Sequence, residues 1–147
     1  MKESKKLSFF HNYVKNEKHL DNLKDILEEF KKETLKLYGN QLKEIILYGS
    51  YARREENEDS DIDLAIVIKG EIRPFKELDR MSEITYDIEL KHDILLSLYP
   101  ISEEHYLTLN TPFLLNIRKE GVLIWIDKIL KKLLINHKNF LRAQENS

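Results

Sequence analysis

The chain has 147 residues, enough for one domain with a buried core and too few for two ordinary domains. Its 24 Lys and Arg residues nearly balance 26 Asp and Glu residues, so no overall charge favours nucleic acid or an anionic membrane as a partner. The lack of cysteine excludes disulfides, thiolate zinc sites and thiol nucleophiles. We expect one cytoplasmic domain over residues 1–147, with a core over about 17–126, an N-terminal extension over 1–16 without a signal-peptide pattern, and a C-terminal helix over 127–147.

The first half of the core predicts one helix followed by two strands. Apolar residues recur at helical spacing over residues 17–38, and Gly39 follows as a C-cap. Residues 44–48 form a short apolar run typical of a buried strand, and a helical turn or two is expected from 50 to about 57. Residues 61–69 alternate as a strand covered on both faces. One face carries Ile62, Leu64, Ile66 and Ile68, and the other carries Asp61, Asp63, Ala65 and Val67.

The second half predicts two helices, two strands and a terminal helix. A helical stripe covers 74–91, and a third strand follows over 92–99, ended by the next residue, a proline. A Thr-Pro start predicts a helix over 111–118, and 122–126 is a fourth short strand. The amphipathic helix over 127–147 suits packing on this domain or binding a partner, and contact with RNA through its lysines is a third interpretation.

The residues that indicate a chemical function lie at and just before the start of the second predicted strand. Because side chains alternate along a strand, Asp61 and Asp63 point to the same side. Two carboxylates this close repel each other, and a hard cation such as Mg²⁺ removes the repulsion while keeping positions for substrate phosphates. Gly49 permits a close backbone approach, and Ser50 offers a hydroxyl and an amide at a helix start, where phosphate is favoured. The pattern indicates a metal-held triphosphate, with a pair of solvated or capping acids as the alternative.

These residues resemble a known signature. Gly49-Ser50, ten further residues and Asp61-Ile62-Asp63 resemble the motif of the polymerase-beta-like nucleotidyltransferase superfamily. The flanking sequences GSYAR and SDIDL resemble the minimal nucleotidyltransferases (MNT) that usually pair with a HEPN-domain toxin. The resemblance covers about residues 20–125. It implies an α/β (α+β) fold, a small mixed sheet with helices packed on one side, to which the C-terminal helix is added, and a nucleotide site at the strand ends.

The resemblance also implies an activity. It is the Mg²⁺-dependent transfer of AMP from ATP to a tyrosine hydroxyl of a cognate HEPN toxin, which would make the chain a type VII-like antitoxin in a hetero-oligomer. Asp61 and Asp63 would bridge two metal ions. A third catalytic carboxylate would ligate the ion nearest the attacking hydroxyl, and Asp93 at the start of the third strand is the candidate. Asp87 and Glu89 are its rivals, placed on the preceding helix.

The nucleotide contacts follow from the same resemblance. Gly49 and Ser50 would hold the β and γ phosphates, and Arg53 would reach a phosphate oxygen. The alternative for Arg53 is a surface salt bridge with Glu56 or Glu58. No membrane partner and no direct binding of nucleic acid are expected.

One residue departs from the family pattern. Arg54 stands where the family usually has glycine, so a backbone conformation with positive φ would be strained there. Two alternatives remain open for the function. One is a catalytically decayed module that neutralises its partner by binding alone, and the other is nucleotidyl transfer to a small molecule or to RNA.

Overall fold

The computed structural model describes residues 20–127 and, near the carboxyl end, residues 132, 136, 139 and 142–145. Its centre is a four-stranded sheet composed of β1 (Leu42–Tyr48), β2 (Ile62–Ile68), β3 (Leu96–Ser102) and β4 (Val122–Ile126). The strand order is β3-β2-β1-β4. β1 pairs antiparallel with β2 and β4, whereas β2 and β3 run parallel, so the predicted mixed sheet is confirmed.

Six α-helices accompany the sheet within residues 20–127. They are α1 (Leu20–Tyr38), α2 (Gly49–Arg53), α3 (Pro74–Arg80), α4 (Ser82–His92), α5 (Glu103–Thr108) and α6 (Pro112–Glu120). Gly39 ends α1 with a φ of +55°, as expected of a C-cap glycine. Over the described part of the chain, no helix combines the length and apolar character needed to cross a membrane.

Two predicted segments extend beyond the described residues. The N-terminal extension over 1–16 lies outside them, as does the apolar stripe of the C-terminal helix. Of the described positions of that last segment, 132, 136, 139 and 142–145 are helical, whereas Asp127 is not.

The core occupies both faces of the sheet. On the first face, Ile62, Leu64, Ile66 and Ile68 of β2 pack with buried residues of α1 and with Ile88 of α4. On the second face, Ala65 and Val67 pack with Leu114 and Ile117 of α6. The alternation predicted for β2 is therefore confirmed. Helices lie on both faces, where the sequence predicted them on one.

The helix predicted over 74–91 is two helices that meet at Met81. The Met81 side chain is fully buried, and its backbone (φ −89°, ψ −1°) departs from ideal helical values. Backbone hydrogen bonds nevertheless cross the junction, from the Met81 N–H to the Glu77 carbonyl and from the Thr85 N–H to the Met81 carbonyl. Helical structure over this segment is therefore confirmed, whereas the change in backbone angles at Met81 was not predicted.

The bounds predicted for the third strand are wrong. Residues 92–99 were expected to form it, yet α4 runs through His92 and β3 spans Leu96–Ser102. The strand also continues through Pro100 instead of ending before it. Because the Ile62 N–H bonds the Leu95 carbonyl, the even-numbered residues of β3 turn their backbone groups away from β2, and the missing N–H of Pro100 falls on the outer edge. The short helix α5 was not predicted.

Candidate active site

The two motif carboxylates lie at the start of β2. Asp61 immediately precedes the strand and is exposed, while Asp63 is partly buried. Asp63 pairs with Tyr48 of β1 on one side and with Ser97 of β3 on the other. The end of β1, the start of α2 and the start of β3 therefore surround Asp63.

Gly49 is fitted against Asp63. Its φ is +75°, a left-handed backbone conformation that a residue with a Cβ adopts only at a cost in free energy. A Cβ at this position would lie 2.2 Å from Oδ2 of Asp63. The close neighbour of Gly49 is thus a carboxylate of the motif, which links the Gly-Ser and Asp-x-Asp parts of the signature in space, while the close approach of a ligand to the Gly49 backbone stays a prediction.

Two effects raise the pKa of the Asp63 carboxyl and two others lower it. Burial and the neighbouring Asp61 raise the pKa of the Asp63 carboxyl, while a hydrogen bond from the Ser97 hydroxyl and the charge of Arg53 lower it. Crowded carboxylates of this kind bind a cation favourably. Magnesium, which takes one or two carboxylates together with substrate phosphates, fits this donor pair.

Arg53 lies in an acidic surrounding. Its Nε is 3.1 Å from Glu55 Oε2, and its Nη1 is 4.0 Å from Glu120 Oε2. Neither of the predicted salt-bridge partners, Glu56 and Glu58, is among these contacts. The side chain is 44% exposed and its charge acts on Asp63, so it lies beside the site.

Arg54 adopts the conformation that the sequence analysis identified as costly. It is the C-cap of α2, with φ 60° and ψ 37°. Its N–H bonds the Ser50 and Tyr51 carbonyls, and the next N–H, of Glu55, also bonds the Ser50 carbonyl at 2.9 Å. The loop thus keeps its glycine-like geometry with an arginine in place.

The structure does not bring Asp93 to the other two carboxylates. Asp93 is an exposed C-cap of α4 with φ 51°, three residues before β3. The prediction that it opens the strand is wrong, because α4 continues to His92 and the Ile94 N–H closes the turn onto the Glu89 carbonyl. Over residues 20–127, no three His, Asp or Glu side chains are placed to hold a metal ion together.

The two rival acids are on α4 as predicted. Asp87 is exposed. Glu89 is partly buried, and its Oε2 accepts the Leu96 N–H at 3.0 Å. That N–H points away from β2, so the Glu89 carboxylate lies on the outer edge of β3.

Sequence reasoning missed the residues that flank the carboxylates. The Phe113 ring lies edge-on to Tyr48 and Tyr99, with centroids 5.5 and 5.0 Å apart, and Phe113 is 42% exposed. Ser97 was also missed. The position of Tyr48 directly before the Gly-Ser motif could have indicated that it lies at the site. Ser97 has no such signal in the sequence and is found only from the pairing of β2 with β3.

Arg118 fixes the loop that precedes Phe113. Its guanidinium donates to the carbonyls of Tyr106 and Leu109, and Nη1 donates to Asn110 Oδ1 at 3.0 Å. These hydrogen bonds from Arg118, a residue of α6, hold the loop that leads into the same helix.

A mixed sheet with paired carboxylates at one strand start, set against a Gly-Ser helix start, offers a place for a magnesium ion and the phosphates of a nucleotide. The profile of the family described as "Polymerase beta, Nucleotidyltransferase" matches residues 22–129, and the chain belongs to this family. It is a nucleotidyltransferase.

Several known proteins are similar to the chain. One protein of Methanocaldococcus jannaschii, named as a protein adenylyltransferase, is 37% identical over 98 residues, which cover 67% of this chain and 94% of the relative. A second from the same organism, with the same kind of name, is 31% identical over 100 residues, again 67% and 94% of the two chains. A crystal structure described as a toxin-antitoxin with AMP-PNP matches 81% of this chain and 92% of that one, with a TM-score of 0.51 and 19% identity. At this identity the structural match shows the fold.

Proposed function

We propose that the chain is a magnesium-dependent protein adenylyltransferase that transfers AMP from ATP to a tyrosine hydroxyl of a HEPN-domain toxin and thereby acts as its antitoxin. The observation that carries the proposal is the placement of Asp63 against Gly49 at the start of α2, with Asp61 near enough for its charge to raise the pKa of the Asp63 carboxyl. Family membership supports nucleotidyl transfer, and the names of the two archaeal relatives support a protein acceptor.

The substrate and the partner have separate support. The structural neighbour described as a toxin-antitoxin with AMP-PNP supports both ATP and a toxin partner. The HEPN class of the toxin and its tyrosine come from the resemblance of GSYAR and SDIDL to the minimal nucleotidyltransferases.

In the proposed reaction, the tyrosine hydroxyl loses its proton to water as its oxygen forms a bond to the α-phosphorus of ATP. The bond from that phosphorus to the oxygen that bridges it to the β-phosphorus breaks. Pyrophosphate leaves. Asp61 and Asp63 would hold the magnesium ion, which when bound supplies positive charge against the triphosphate. The backbone at Gly49 and Ser50 would receive the β and γ phosphates, and Arg53 would turn from Glu55 toward a phosphate oxygen.

The test is transfer of label from α-labelled ATP, in the presence of magnesium, to a purified HEPN-domain protein chosen as the candidate toxin. Wild type is compared with Asp61→Asn and Asp63→Asn. The matched control is Asp59→Asn, which removes the same charge from the loop two residues before Asp61. We expect label on the toxin with wild type and the control, and none with the two site variants.

Two other results would change the conclusion. Neutralisation of the toxin without label, retained by Asp63→Asn, would show that binding alone does the work. Label on RNA or on a small molecule, with none on the toxin, would keep the nucleotidyl transfer and replace the acceptor.

A further inference from the structure

The strand beside Asp63 carries no acid at the matching position. β2 and β3 run parallel, with Asp63 opposite Ser97 and Ala65 opposite Tyr99. Ala65 and Tyr99 pack in the same cluster on the second face of the sheet, so the paired residues of the two strands share a face. A third metal ligand supplied by β3 next to Asp63 would therefore be residue 97.

Ser97 lies beside the Asp63 carboxylate. The two residues pair across β2 and β3 on the same face of the sheet, and the Ser97 hydroxyl acts as a donor that favours the charged form of Asp63. A neutral hydroxyl occupies one acceptor position of the carboxylate and adds no negative charge. The ligand set on the protein therefore remains two carboxylates, which is what a single magnesium ion takes alongside substrate phosphates.

The other two acids near β3, Asp93 and Glu89, belong to α4 or its end and not to the strand. Asp93 caps α4 in a left-handed conformation, three residues before the strand, and its side chain is exposed. The Glu89 carboxylate accepts the outward-facing N–H of Leu96. A second ion at the ~3.5–4 Å spacing of two-metal sites would need anionic ligands of its own, and β3 presents a hydroxyl there.

We infer that this site holds one divalent ion with the nucleotide, and that Ser97 is a positioning residue that fills the place of a third carboxylate and orients Asp63 toward that ion. The inference rests on the proposed function, because it concerns the ion that the nucleotide would bring. It departs from the two-ion expectation of the sequence analysis.

The experiment counts Mn²⁺ ions on the protein saturated with α,β-methylene-ATP, by equilibrium titration and by electron paramagnetic resonance. Two ions at the ~3.5–4 Å spacing of two-metal sites give an exchange-coupled spectrum, and a single ion does not. We expect one uncoupled ion in wild type and two coupled ions in Ser97→Asp. Ser97→Ala is expected to keep the count at one and to weaken Mn²⁺ binding about tenfold, the usual effect of losing a group that orients a ligand.

Asp93→Asn is the matched control and is expected to leave both the count and the spectrum of wild type unchanged. Two coupled ions in wild type would overturn the inference and leave the proposed function standing, most directly if Asp93→Asn then lowered the count to one. Bound nucleotide with no bound ion would overturn both. If Ser97→Asp fails to fold, the comparison of wild type with Asp93→Asn still decides between one ion and two.

Discussion

Replacing Gly49 by alanine tests whether this glycine sets the position of Asp63. The new Cβ would lie 2.2 Å from Asp63 Oδ2, so the carboxylate has to rotate away and lose its hydrogen bond from Ser97. The backbone adds a cost of about 1–2 kcal/mol, because φ at Gly49 is +75°. Together with about 1 kcal/mol for the hydrogen bond, we expect a loss of about 2–3 kcal/mol in the free energy of unfolding.

The effect on activity should be larger than the effect on stability. A displacement of about 1 Å in a group that holds a reactant can cost about 100-fold in rate. We therefore expect Gly49→Ala to lower AMP transfer about 100-fold and to weaken Mn²⁺ binding in parallel.

The chain provides two controls. Gly39 and Gly70 also have positive φ, +55° and +91°, and a Cβ at either would meet nothing within 4 Å. Gly39→Ala and Gly70→Ala should carry the backbone cost of about 1–2 kcal/mol in urea unfolding and leave AMP transfer unchanged. If Gly49→Ala kept wild-type transfer while losing no more stability than these controls, the contact with Asp63 would have no functional role.

Three further substitutions test local features. Arg54→Gly removes the left-handed arginine (φ 60°), so its free energy of unfolding in urea should be about 1 kcal/mol higher than that of Arg54→Ala. Equal free energies of unfolding in the two variants would show that the backbone at residue 54 is not strained. Tyr38→Phe removes the hydroxyl that donates to the buried Glu77 at 2.5 Å and should cost about 1–3 kcal/mol, seen as a lower urea midpoint; an unchanged midpoint would show that Glu77 does not need this donor. The hydrogen bond from His92 lowers the pKa of Glu29, so this carboxylate stabilises the fold above its usual pKa and stops doing so as the pH falls through the lowered value. Glu29→Gln should therefore be less stable than wild type at neutral pH and should approach it in acid, and a difference that does not vary with pH would refute this linkage.

The central strand and the motif could be predicted from sequence because their signals are local. The alternation in β2 fixes which side chains share a face, and the Gly-Ser pair marks the end of β1. The conformational demand at Arg54 was also predicted, because the family that the motif resembles usually has glycine at this position.

The start of β3 could not be predicted in this way. The run from Ile94 to Tyr99 is apolar enough for a strand, but Asp93 tolerates a left-handed conformation and lets α4 end there, so the strand begins later. The Glu89 side chain then holds the Leu96 N–H at the first residue of the strand. Hydrophobic periodicity reports neither feature, because one is the backbone conformation of a single residue and the other is a hydrogen bond from a backbone N–H to a side chain. The resulting shift of the strand start places Ser97, in place of an acid, opposite Asp63.

Pro100 also limits how the sheet can grow. β3 is an edge strand, and of its outward-facing backbone positions Leu96 gives its N–H to Glu89 while Pro100 has none to give. An extended segment from another chain would find two donors missing along this edge. The β3 edge is thereby protected against pairing with an extended segment of another chain, including a second copy of this one, into a continuous sheet.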